Sequence, residues 1–99
     1  MVQQNKEQKE TVARVMHEFK HGELESGQSG RKVKNPRQAI AIALHESGAS
    51  REQSPTEKQH ALRRTKAKEA RGETAEAEKE GKAAQDKTMR RYSSRRRVH

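Results

Sequence analysis

The one stretch of this 99-residue chain whose residue types and spacing spell out a chemistry is His17-Glu18-Phe19-Lys20-His21. On a helix, two histidines four residues apart stand one turn apart on the same side and can share a zinc ion. The glutamate between them can then activate a water as general base. Three features oppose a zinc peptidase. Catalytic zinc takes three protein ligands, and the remaining candidates, His45, Glu46 and His60, lie at no recognised offset from the pair. Lys20 places a cation inside the motif. A peptidase also needs a walled cleft that limits water, and nine scattered large apolar residues between Val12 and Leu44 cannot build one. The motif therefore reads as two solvent-side histidines flanking the stripe of an amphipathic helix, good for weak adventitious zinc or nickel binding at most.

No other chemistry is spelled out. The Gly-Gln-Ser-Gly and Ser-Gly-Arg-Lys-Val-Lys stretches lack the spacing of a phosphate-binding loop, and no strand precedes them. Asp86 is the single aspartate, far from any Ser–His pair, so no activated nucleophile is expected. No catalytic residue, resident metal or cofactor is assigned, and the chain is expected not to be an enzyme.

Two helices carry the apolar residues. Val12, Val15, Met16 and Phe19 recur at i, i+3, i+4 and i+7, which predicts an amphipathic helix over about 6–21, with Gly22 closing it. Asn35 as N-cap, Pro36 at the first helical position and Gln38 two residues on start a second helix over about 36–47, which Gly48 ends. Ala-Ile-Ala-Ile-Ala-Leu also alternates with period two, but its alanines and caps favour helix over strand. Ile40, Ala43 and Leu44 are expected to face Val12, Val15, Met16 and Phe19 in a hairpin with a long Gly/Ser loop, onto which Leu24 and Val33 tuck. So small a core folds marginally alone, so Val12, Val15, Met16, Phe19, Ile40 and Leu44 are also candidates for docking a protein partner or a second copy.

The character changes at Ser50. Ser54-Pro55-Thr56-Glu57 is a capping-box pattern that starts a third helix. Beyond it the sequence is rich in Ala, Glu, Lys and Arg, but Leu62 and Met89 are the only large apolar residues before Tyr92. High helix propensity without a face to bury gives a solvated or transient helix over about 55–91, followed by a disordered tail. The expected organisation is all-α: a small helical domain over 1–49 and a charged extension over 50–99.

Charge follows the same division. The net charge is +9; residues 1–49 carry 8 basic and 6 acidic side chains, and residues 50–99 carry 15 and 8. Arg31, Lys32, Lys34 and Arg37 gather near the N-terminus of the second helix, where free N–H groups also favour anions. Arg90, Arg91, Arg95, Arg96 and Arg97 surround Tyr92 at the far end, and Tyr92 is the one aromatic there able to stack on a base. This pattern points to non-specific association with DNA or RNA phosphates rather than sequence readout. There is no cysteine and no run of about 18 apolar residues, and the first ten residues lack the apolar centre of a signal peptide. A cytoplasmic, nucleoid-associated protein with no membrane partner is expected.

Residues Val15 to Gly48, VMHEFKHGELESGQSGRKVKNPRQAIAIALHESG, resemble a family of small, mainly bacterial, uncharacterised proteins classed as a domain of unknown function. The family pattern is V-M-x-E-(F/Y)-K-x-G-x-L, a Ser/Gly loop, G-(K/R)-x-V-K and (R/K)-Q-A-I-A-I-A-(L/M)-x-E. Val15, Met16, Glu18, Phe19, Lys20, Gly22, Leu24, Val33, Arg37, Gln38 and Ile40 are among the matches, while His21 falls at a variable position. The resemblance implies the two-helix unit and leaves activity open. Thr74 to Thr88 is also similar in flavour to the repeats of late-embryogenesis-abundant stress proteins, without a fixed period. An alternative is therefore a disordered, stress-protective chain.

Overall fold

Helix α1, Lys6–Lys20, starts on a reciprocal cap: Gln8 N–H donates to Asn5 Oδ1 at 2.8 Å, and Asn5 N–H donates to Gln8 Oε1 at 2.9 Å. Gln8 Nε2 goes on to donate to the carbonyls of Ser47 (3.1 Å) and Gly48 (3.3 Å). The side chain that begins α1 thus ties it to the end of α2, Pro36–Ser47, whose own N-cap Asn35 accepts from Arg37 N–H at 2.9 Å. These ties run the two helices antiparallel. The computed structural model describes residues 5–27 and 30–95, with side chains described as far as Arg91.

Between α1 and α2 the chain does not wander. Val33 N–H donates to the Leu24 carbonyl at 2.9 Å, Ser26 N–H to the Arg31 carbonyl at 2.7 Å, and Glu25 and Lys32 form an isolated antiparallel bridge. This turns Leu24 and Val33 inward, where they are buried with Val15, Ala39 and Ala43; Val12, Met16, Phe19 and Ile42 pack on that cluster. The α2 face differs from the expected one. Ala39, Ala43 and Ser47, spaced i, i+4 and i+8, are buried, whereas Ile40 is 48% exposed and Leu44 only partly buried. Small side chains bring the α2 backbone close to α1, and that approach turns Ile40 outward.

The second half differs more. In place of one solvated helix over 55–91 there are three helices: α3, Pro55–Arg71; α4, Ala75–Glu80; and α5, Lys82–Arg95. Ser54 and Glu57 form the capping box that opens α3, and Thr74 caps α4. Thr65 Oγ1 donates to the Glu46 carbonyl at 2.8 Å and Gln53 Nε2 to the His45 carbonyl at 3.1 Å, fastening α3 to α2. Gln85 of α5, fully buried, donates to the Glu69 carbonyl at 2.9 Å and accepts from Thr74 Oγ1 at 2.6 Å. The radius of gyration of the chain, 12.9 Å, equals the roughly 13 Å of a compact domain of this length. The interface that folds these helices back is polar: Thr11, Arg14, Glu18, Thr65, Glu69, Thr74, Glu76 and Gln85 are all buried.

The described residues contain five helices and no strand, and none of the helices is long and apolar enough to cross a membrane. The disordered tail expected beyond them, with Arg96 and Arg97, lies outside the described residues.

The turn after α2 gives a prediction. Gly48 has φ +72°, and a Cβ there would fall on the carbonyl oxygen of Lys58 in α3; Gly22 has φ +69° with nothing within 4 Å. Gly22→Ala should cost only the left-handed penalty, about 1–2 kcal/mol, and Gly48→Ala distinctly more, since two backbones must part. Urea denaturation of both variants checks the order; equal losses would contradict the close α2–α3 approach.

Candidate functional site

His17 and His21 lie on the last turn of α1 and on its C-cap, with rings stacked at 4.0 Å between centroids. Helix α4 crosses this end of α1. His17 Nε2 donates to Glu80 Oε2 at 2.8 Å and lies 3.3 Å from Glu76 Oε2. The ligand atoms of His17, His21 and Glu80 lie within 4.8 Å of one another. His45, Glu46 and His60 take no part in this group. Glu80 is 59 residues beyond His21, and no local spacing announces it; only the fold-back of α4 delivers it.

The group is rich in carboxylates. Glu76 is fully buried; its Oε2 accepts from Thr88 Oγ1 at 2.6 Å, while its Oε1 has no hydrogen-bond partner among the described residues. Burial pushes the Glu76 carboxyl up, against the opposing pull of the Thr88 hydrogen bond and of His17. Glu23, also buried, is raised to about 7, by burial first and then by its hydrogen bond to Glu80 and the Glu80 charge. Glu80 itself is lowered by the hydrogen bonds from Glu23 and His17.

Glu18, the middle residue of the His-Glu-x-x-His motif, is elsewhere. It sits about 100° round the helix from His17, 1% exposed, with Arg14 Nη1 donating to its Oε2 at 2.8 Å and Glu76 N–H donating at 2.9 Å. Held on that side, it cannot act on a water bound at the imidazoles. Arg14 is the hub of this second cluster. Its Nη2 donates to Glu46 Oε1 and its Nε to Glu69 Oε2, each at 2.8 Å; Glu69 Oε2 also accepts from Thr11 Oγ1, and Lys66 lies 3.0 Å from Glu69 Oε1. Burial opposes the Arg14 charge, but the carboxylates of Glu18, Glu46 and Glu69 outweigh it and raise its pKa above the guanidinium's ordinary value. Burial also raises the Glu18 carboxyl, with Arg14 pulling the other way.

The basic residues read from the sequence fall into two places. Arg31, Lys32, Lys34 and Arg37 are exposed on the loop and at the first turn of α2. Arg90 and Arg91 are exposed on α5, whose last turns include Tyr92 and Arg95. Arg91 shares a groove with Met16, His17 and Lys20 of α1 and Thr88 of α5, which the sequence did not suggest. The sequence reading missed a third cationic surface. On α3, Ala61, Thr65 and Glu69 turn inward, so Arg63, Arg64, Lys68 and Arg71 are exposed, with Arg71 paired to Glu73 at 3.0 Å. The i, i+4, i+8 spacing of His60, Arg64 and Lys68 would have revealed this stripe once the inner face was known. Lys68 lines the same groove as Ser26, Gly27 and Gly30, beside the basic loop.

A family model described as "Family of unknown function (DUF6496)" matches residues 3–59. No curated protein and no solved structure matches the chain.

The Arg14 hub is testable. Removing one partner of a buried ionic network typically costs about 3–5 kcal/mol, so Arg14→Met should lose stability on that scale at neutral pH. Without Arg14, Glu18 loses the cation that opposes its burial, and its folded-state pKa rises further above the unfolded one. The native state then holds more protons than the unfolded chain, so the variant regains stability as pH falls from 7 toward about 5. Thermal melts of both proteins across that range measure this; a gap independent of pH would contradict it.

Proposed function

The chain belongs to this family of unknown function, which brings no activity with it, and from its surface we propose a small basic accessory protein that associates non-specifically with nucleic acid. The supporting observation is the way charge is sorted between inside and outside. Glu18, Glu23, Glu69 and Glu76 are buried, and Arg14 is the one buried basic side chain among the described residues. Counted formally over the described side chains, four negative charges inside against one positive leave their surface three charges more positive than their own net charge.

Arg31, Lys32, Lys34 and Arg37 of the loop, the α3 stripe and the arginines from Arg90 to Arg97 would neutralise phosphates and release counterions. Tyr92 would stack on an unpaired base. Sequence readout is not part of the proposal, because a loop of this length between α1 and α2 does not build a helix-turn-helix. Such a protein would act in the cytoplasm, on the nucleoid.

Non-specific association of this kind has dissociation constants of about 10⁻⁴–10⁻⁶ M at physiological salt. A mobility-shift titration on duplex DNA at several salt concentrations should give a log–log slope near −0.9 per phosphate contact. Replacing Arg63, Arg64 and Lys68 together by Gln should flatten it by up to about 2.7, three contacts at that value. Removing the last five residues, which include Arg95, Arg96 and Arg97, should do the same. Affinity unchanged between low and high salt, or no shift at low salt, would refute the proposal.

A further inference from the structure

We propose that His17, His21 and Glu80, backed by Glu76, form a binding site for a zinc-class divalent cation that clamps α4 onto the end of α1. Two borderline imidazoles with one hard carboxylate are a mixed N/O set that suits Zn²⁺ and its transition-metal neighbours. Mg²⁺ and Ca²⁺ prefer all-oxygen shells. Their ligand atoms already lie within 4.8 Å of one another. Ligand atoms on a tetrahedral zinc, with bonds of about 2.0–2.1 Å, stand about 3.3 Å apart. His17 Nε2 lies 2.8 Å from Glu80 Oε2 and 3.3 Å from Glu76 Oε2; the His17–Glu80 pair must open by about half an ångström, and the widest pair of the group must close by up to about 1.5 Å, for the ion to take the place of the hydrogen-bonded proton.

A second observation points the same way. The fully buried Glu76 keeps one carboxylate oxygen without a hydrogen-bond partner among the described residues, while its other oxygen faces His17. Burying such an oxygen is costly unless something positive or a donor meets it. Glu23 adds one more carboxyl group, hydrogen-bonded to Glu80. A divalent cation held beside Glu76 Oε2 would lower the cost of burying the Glu76 carboxylate as a whole. The site is structural rather than hydrolytic, because Glu18 is held by Arg14 and the Glu76 amide on the other side of the helix. This inference is independent of nucleic-acid association, which uses other residues.

Titrating the full chain, stripped with a chelator, with ZnCl₂ in calorimetry at neutral pH tests it. The expected result is one zinc per chain, a melting temperature that rises with zinc, and no competition from excess Mg²⁺. Glu80→Gln and His21→Ala, both at exposed positions, should each weaken binding by more than about tenfold, the lower end of what supporting partners alone are worth. The control His45→Ala should bind as the parent does. If Glu80→Gln binds zinc as well as the parent, the histidine pair acts alone and the site is refuted; absence of stoichiometric binding refutes it equally. Should Glu80→Gln fail to fold, His21→Ala carries the same comparison, and unchanged affinity there overturns the proposal.

Discussion

Three helices meet at one guanidinium, and a fourth at one of its carboxylates. Arg14 of α1 reaches Glu18 on its own helix, Glu46 on α2 and Glu69 on α3, and Glu18 in turn accepts from the first-turn amide of α4. A planar fork with five fixed donors suits this task, because each carboxylate must approach from its own direction. Desolvating the charges offsets much of their attraction, so such a network contributes more to geometry than to net stability. Its importance here lies in what the chain lacks. With 15 large apolar residues in 99, there is hydrocarbon for the α1–α2 interface and little for a second one. The second interface is made largely of partnered polar groups instead, with Glu76 Oε1 an exception, and partnered groups can be buried.

That substitution explains which parts of the fold were legible in the sequence. Asn35-Pro36, Ser54-Pro55-Thr56-Glu57 and Gly48 announce helix boundaries through local physics, and the structure places helix ends there. Leu24 and Val33 are apolar islands in a polar loop, and they are buried as apolar residues should be. Thr65, Glu69, Glu76 and Gln85 gave no such indication. A glutamate destined for a buried ion pair looks, in sequence, like one destined for water, and its partner is 55 residues away in the case of Glu69 and Arg14. The face of α2 differs in part for a related reason: of Ile40, Ala43 and Leu44 only Ala43 is buried, because close helix approach selects the small side chains.

The imidazole–carboxylate group divides along the same line. The histidine spacing was plain; the carboxylates that complete the group were not, because α4 supplies them. Glu18 shows the converse. Its place in a familiar motif suggests a base, yet its neighbours make it a strut.

Residues 3–59, the stretch matched by the family model, hold Arg14, Glu18 and Glu46 but not Glu69 or Glu76. A relative that ended near residue 59 would present the Arg14 side of α1 to water, or to another chain that brings its own acids. Among relatives, the residue at position 14 should therefore track the presence of a long C-terminal half: arginine where a third helix returns with a glutamate to meet it, and something indifferent to solvent where none does.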